Sequence, residues 1–403
     1  MVVPAGVYCT GTVWLRSGVT LVLEKGAVLR SGTELEDLPV FFPEDVISRR
    51  RFDRRVIGAL DAENVGLVGE GEIDGAHGLR KYLPRGEVQP LGVQFIRCRG
   101  VHVKGIMLRN SGSWMQQYLH SEEVRIENLR VWNHGNGTND GLDLDGCRHV
   151  QVRGCVIDSH DDALVFKSTG LRMCEDILVE ECDLRSNCHG IKFGTESVGG
   201  FERITVRNCR VGRSAHVLQL DLVDGPRPPI TGCALECTDG GVMRDIVLED
   251  LQVEDCLTPL FIKLGNRHER RVPGEVFAGA GEISGVRIER MRAELSGPIT
   301  SSITGYPGHP VRDVLLRDLV FRTRGGAASD QVMNSVPENS DGYPEVNMFE
   351  KASDPANGKY LPAWGLYMRH VEGARLEGVR GELIAEDPRP FLVQEHCRDV
   401  KVF

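Results

Sequence analysis

Apolar and polar residues alternate along most of this chain, in short runs that recur. EVRIENLRV, HVQVRGCVI, DILVEECDL, RITVRNCRV and DIVLEDLQV share one pattern, an alternating run followed by Leu or Cys. Cys155, Cys182 and Cys209 stand 27 residues apart, and Leu129 lies 26 before Cys155. GVRIERMRA, DVLLRDLVF and RLEGVRGEL are later copies, and NVGLVGEGEI is an earlier, shorter one. Period-two alternation predicts strands with one buried face. Units this small cannot bury that face alone, so they must stack on one another. Only turns separate the strands, which leaves little room for crossover helices and argues against doubly wound or barrel α/β folds. The pattern predicts an all-β parallel β-helix, each coil contributing two or three short strands.

A second strand per coil is visible in GLDLDG (141–146), ALVFKS (163–168), GIKFGT (190–195) and LFIKLG (260–265), with HVLQLD (216–221) as a fifth. Leu142, Leu144, Leu164, Phe166, Ile191, Phe193, Ile262 and Leu264 are expected to point inward. Asp143, Asp145, Lys167, Lys192, Phe261 and Lys263 then point outward, forming a surface stripe with charges of both signs.

The totals narrow the function. A net charge of −10 and a pI near 5.7 disfavour nucleic acid and anionic membrane surfaces as partners. No apolar run is long enough to cross a bilayer. The twelve cysteines include no CxxC pair and follow the repeat, so they are expected to stack inside the coils as small apolar side chains. The opening MVVPAGVYC has no charged, cleavable leader. As written it implies a cytoplasmic protein, or an extracellular or periplasmic one if the start is incomplete. Oligomeric state is not legible.

The residues just before the second strands carry the candidate chemistry: Asn139 and Asp140, Asp161 and Asp162, Cys188 and His189. Equivalent positions in stacked coils lie about 4.8 Å apart. Register therefore gathers three carboxylates and a histidine, and such crowding opposes ionisation and costs stability unless it serves a function. Calcium, with its six to eight oxygen ligands, is one use, as in a polysaccharide lyase or epimerase. Lys167, Lys192 and Lys263 would compete with that cation. Glycosidic hydrolysis is another, with one protonated carboxyl, one ionised carboxylate and no metal or cofactor. The lysines then grip an acidic sugar. A non-catalytic carbohydrate-binding β-helix is a third reading, though it needs no such register.

These motifs, in order, resemble those of glycoside hydrolase family 28, the polygalacturonase family, whose pattern is Asn-Thr-Asp-Gly, Asp-Asp, Gly-His-Gly, Arg-Ile-Lys. TNDGLD holds Asn139, Asp140 and Gly141. SHDDALVFKS holds Asp161 and Asp162, and NCHGIKFGTESVGG holds His189 and Gly190. LFIKLG holds Ile262 and Lys263. The likeness runs from about residue 3 to at least 325. It implies a right-handed parallel β-helix and inverting hydrolysis of a pectic poly- or oligosaccharide. Carried over by position, Asp161 is the general acid, Asp140 and Asp162 hold and activate water, and His189 supports the acid. Lys263 binds substrate, with Lys192 and Asp143 on the same face.

The chain departs from the family at several points. Phe261 stands where the family has Arg, so the paired clamp on a uronate is broken; Phe261 could stack on a sugar or pack. Arg267 or Arg270 could replace the clamp. The substrate is then expected to be of galacturonan or rhamnogalacturonan type. Thr138-Asn139-Asp140 changes the order of the first motif, and Cys188 replaces a Gly. The family's usual N-terminal capping segment is expected to be absent, unless the start is misplaced. The whole of residues 1–403 is expected to form one β-helix domain, with a long insertion over 330–370. That insertion carries Tyr343, Phe349, Tyr360, Trp364 and Tyr367, which could floor the cleft or pack the loop. It would block one end and favour exo-action.

Overall fold

The computed structural model describes all residues except 48–51, 77–89, 136, 216–227, 270–279, 345 and 347–359. The chain winds as a right-handed parallel β-helix. Among the described residues, three parallel sheets of 14, 12 and 12 strands run its length, and each coil gives one strand to each sheet in turn. Helix is confined, among those residues, to two single 3-10 turns at Leu35–Asp37 and Ser329–Gln331.

The sequence repeat supplies two of the three strands. In EVRIENLRVWN, Glu122–Glu127 lies in the first sheet and Arg130–Asn133 in the second. Asn128, between them, has φ +53°. Its counterparts Gly154, Glu181, Asn208, Asp250, Arg290 and Asp318 also have positive φ. This turn aims each N–H at the next coil, as in Asn128 N to Arg153 O (2.9 Å) and Asp250 N to Glu289 O (3.1 Å). The residue that follows (Leu129, Cys155, Cys182, Cys209, Leu251, Met291 or Leu319) turns into the core. The cysteine spacing is thus the spacing of one corner of the solenoid.

Inside, one continuous apolar column fills the coils. In a single turn Leu142, Leu144, Cys147, Val150, Val152, Cys155 and Ile157 are all buried. Burying each such aliphatic side chain contributes about 1.5–3 kcal/mol. Outside, the first sheet carries a ladder of opposite charges, Glu127–Arg153–Glu180–Arg207–Glu249, in register. Exposed pairs of this kind contribute about 0–1 kcal/mol each. Core burial therefore dominates stability, and the ladder matters for register, since a one-residue slip would turn the apolar row outward.

The eight inward residues predicted for the third sheet all join this column. The fifth predicted strand, 216–221, lies outside the described residues; the third-sheet strand of that coil is Thr231–Cys237. Its own alternation, Cys233, Leu235 and Cys237 inward with Glu236 outward, is equally regular. The outward stripe is not a surface stripe. Asp143, Asp145, Lys167, Lys192, Phe261 and Lys263 are all buried, because connections from the second to the third sheet fold over this face.

Candidate active site

Third-sheet strands Gln116–Leu119, Leu142–Asp145, Leu164–Ser168, His189–Ser197, Thr231–Cys237, Thr258–Leu264, Ser301–Thr304 and Leu366–Arg369 pair in that order. One outer row reads Gln117, Asp143, Val165, Lys192, Ala234, Phe261, Ser302, Tyr367. A second includes Glu236, Lys263, Thr304 and Arg369.

At the start of these strands or just ahead of them, Asp140, Asp162, His189 and Thr231 take one position in four successive coils. The backbone fixes this: Gly141 N donates to Asp162 O (2.8 Å), Ala163 N donates to His189 O (2.9 Å), and His189 is in register with Thr231. Amide side chains brace the Asp140 loop. Asn139 Nδ2 donates to Ser111 O (3.1 Å) and Ser113 O (2.7 Å), and Asn133 Nδ2 donates to Asp140 O (2.8 Å). Ser159 and Ser186 hydroxyls both donate to Asp161 O, at 2.9 and 2.6 Å. The Asp pair therefore sits on a pinned backbone.

His189 Nδ1 lies 2.7 Å from Thr231 Oγ1, and its Nε2 lies 4.0 Å from Asp162 Oδ1. Lys192 Nζ stands 4.0 Å from Asp162 Oδ2 and 3.5 Å from Glu236 Oε1. Lys167 Nζ is 4.0 Å from Asp143, 3.3 Å from Glu196 and 5.0 Å from the centre of the Trp114 ring. Asp140 Oδ1, Asp162 Oδ1 and both oxygens of Asp143 are buried with no hydrogen-bond partner among the described residues.

This environment separates the carboxyls. Burial pushes Asp161 up to about 6, and the Asp162 charge adds to the effect. Burial would raise Asp162 too, but Lys192, His189 and Lys167 outweigh it and hold Asp162 below the usual range. Asp140 is pushed well above that range by burial, then by Asp143, Asp161 and Asp162. Asp143 is likewise raised by burial, against the pull of Lys167. Burial alone would lower Lys192, yet Glu236, Tyr343 and Asp162 hold it well above the usual lysine range.

Four predicted substrate contacts are engaged elsewhere. Phe261 packs against Ala234 and Val346 in a small apolar cluster. Lys263 Nζ donates to Glu338 O (3.3 Å), and burial lowers it to about 8. Arg267 Nε donates to Asp239 Oδ1 (2.9 Å), and its guanidinium also lies near Glu196 and Glu269. Trp364 meets Phe391 edge-on with centroids 4.9 Å apart. It precedes a strand five coils beyond Leu164–Ser168, about 24 Å along the axis at one strand spacing per coil. It is not brought to the carboxylate patch. Arg270 and Phe349 lie outside the described residues.

The insertion explains three of these placements. It leaves the second sheet after Val320–Thr323 and returns to the third at Leu366. Between them, Glu338 pairs with Arg369 and His370, Ser340 O accepts from Asn266 N (2.6 Å), and the Tyr343 hydroxyl accepts from Thr195 Oγ1 (3.3 Å). From Arg369 back to Thr195 is four coils, about 19 Å. Among the described residues, the segment reaches to one coil short of Asp162. Its other aromatics pack: Tyr367 is buried with its hydroxyl on Glu395, and Tyr360 lies beneath the Arg389 guanidinium.

Glu196, Glu236, Thr231 and Trp114, which surround the candidate residues, were missed, and Tyr343 was named only as one of the insertion's aromatics. Extending the GIKFGT strand by one residue would have found Glu196, and the alternation in TGCALEC marks Glu236. Nothing in the local sequence points Tyr343 at Lys192.

The sequence profile of Glycosyl hydrolases family 28 matches residues 3–334, and the chain belongs to that family. It is 27% identical over 177 residues to "Probable polygalacturonase" of Vitis vinifera, covering 41% of this chain and 36% of the relative. The chain thus spans about a third of that relative's length. Its fold is similar to that of a hyperthermoactive exopolygalacturonase from Thermotoga maritima (TM-score 0.64, 24% identity, 80% of this chain and 79% of the other). It is also similar in fold to the family 28 exopolygalacturonase of Yersinia enterocolitica (TM-score 0.71, 15% identity, 99% and 72%).

Proposed function

We propose that this protein hydrolyses glycosidic bonds at one end of an acidic pectic chain, of galacturonan or rhamnogalacturonan type, by inverting single displacement. The observation that carries the reading is the separation of two adjacent carboxyls, Asp161 raised to about 6 and Asp162 held low. Two carboxyls driven apart in this way suit an acid and a base. Asp161 is the general acid that protonates the leaving oxygen. Asp162 is the carboxylate that takes the proton from water, and Asp140, its register neighbour, shares that water. His189 stands beside Asp162, anchored by Thr231, and steadies its charge.

Family membership supports hydrolysis, and the names of the relatives support a galacturonan-type substrate. The end-on mode of attack rests on the insertion. Phe261 and Lys263 lie beneath it, so a sugar chain cannot run along that part of the sheet. Lys192 then replaces Lys263 as the cation nearest the scissile bond.

The test is digestion of defined pectic oligosaccharides with the product anomer followed by NMR. Inversion with release from one end is expected. Retention of configuration refutes single displacement, and absorbance from an unsaturated product would establish a lyase instead.

A further inference from the structure

Three donor types meet at the base of this cleft: a carboxylate oxygen of Asp162, the thiol of Cys188 and an imidazole nitrogen of His189, all within 4.8 Å of one another. We propose that they form a binding site for a thiophilic divalent cation such as Zn2+, and that the ion inhibits the enzyme by occupying Asp162.

The surroundings favour this. Thr231 holds His189 Nδ1 at 2.7 Å, and Nε2 lies 4.0 Å from Asp162 Oδ1. Such an outer partner fixes the orientation of a ligating imidazole. Asp162 Oδ1, on the His189 side, is buried with no hydrogen-bond partner among the described residues, and the residue as a whole is only 6% exposed. Lys192 does not fill this place, because it reaches the other oxygen, Oδ2, and is drawn away by Glu236 at 3.5 Å. Lys167 and Lys263, on the same face, are turned to Glu196 and to the Glu338 carbonyl. The Cys188 backbone is pinned, its N–H donating to Ser186 Oγ (2.7 Å), and the residue is half-buried.

The chemistry of the set suits zinc better than calcium or magnesium. Sulfur and imidazole are ligands for soft or borderline metals, whereas calcium and magnesium take oxygen. Ligand atoms around tetrahedral zinc stand roughly 3.3–3.8 Å apart, so the 4.0 Å between His189 Nε2 and Asp162 Oδ1 needs a small contraction, and no pair of the three donors, all within 4.8 Å, has to close by more than about 1.5 Å. On binding, the Cys188 thiol gives its proton to solvent and the thiolate coordinates. Water takes the fourth position, on the cleft side.

Inhibition rests on the role given above to Asp162; binding does not. The experiment therefore measures binding first, on chelator-treated, reduced protein without substrate. Calorimetric titration with Zn2+ alone should show one ion per chain in the unaltered protein. Co2+ should give a sulfur-to-cobalt charge-transfer band. Cys188→Ala and Cys188→Ser should both lose the band and weaken Zn2+ binding by more than about tenfold, and Thr231→Val should weaken it by about tenfold. Two substitutions at Cys188 guard against a folding defect in either. Equal Zn2+ affinity in unaltered and Cys188 proteins, or no thiolate band, overturns the site. Hydrolysis of an oligogalacturonide is then followed with Zn2+, each protein compared with its own metal-free rate. Inhibition confined to proteins that keep Cys188 supports the second half of the proposal, and full activity with the ion bound overturns it. A protein that binds the ion but hydrolyses nothing keeps the metal site and removes the hydrolytic reading.

Discussion

The Asp162 carboxylate and the Lys192 ammonium stand 4.0 Å apart on neighbouring coils, and Lys192 is shared with Glu236 at 3.5 Å. This places a fixed positive charge between a carboxylate that must stay ionised and one that covers its far side. Next to it, Asp161 keeps its proton to about pH 6. The site therefore works as a graded set of charges, and each prediction below perturbs one member.

Asp161→Asn should lower kcat by about 10²–10⁴-fold, the usual contribution of a general acid. Steady-state kinetics on the best oligosaccharide checks this; a smaller loss at unchanged KM would remove Asp161 from the acid's role.

The same substitution should stabilise the fold at neutral pH. The carboxyl is raised in the folded chain, so its stabilising protonated form is present below the unfolded value near 4 and is lost as pH rises to about 6. At about 1.4 kcal/mol per unit, an ionised Asp161 costs the fold up to about 3 kcal/mol above that range. Thermal melts should give Asp161→Asn a higher Tm than the unaltered protein at pH 7 and no advantage at pH 4.

Turnover should fall as pH rises through about 6, where the acid loses its proton. Lys192→Met removes the first of the charges that hold Asp162 low. Its acidic limb should therefore move to higher pH, narrowing the profile from below. A pH–rate series on both proteins decides it; an unmoved acidic limb would mean that Asp162 is not the base.

Tyr343→Ala removes the tip of the wall beside Lys192. Intermediate oligomers should then appear early in digests of long substrate, in place of single end products. Chromatography of the time course reads the change, and an unaltered product ladder would show that the insertion does not set the mode of attack.

Arg267→Met should lower stability by about 3–5 kcal/mol, because Asp239 and Glu196 are left buried without their cation. Denaturant melts measure this, and KM should stay unchanged. A raised KM with normal stability would restore Arg267 as a substrate contact.

Much of this molecule was legible in its sequence. The cysteine spacing marked the solenoid because the same corner must recur in every coil. The inward set of the third sheet followed from alternation, since a slip would expose the core. Register alone put Asp140, Asp162 and His189 in a line, because stacked coils repeat one strand spacing.

What the sequence by itself determined is therefore the part governed by local periodicity: the coil, its core and the carboxylate column. Tertiary structure decided which outward residues remain available. Lys263 and Phe261 look like substrate contacts in the one-dimensional pattern, yet a segment some 75 residues later lies across them. Arg267 looks like a clamp but is held by Asp239. Long connections obey no period, so where they come to rest depends on packing against the finished solenoid, which no local pattern encodes.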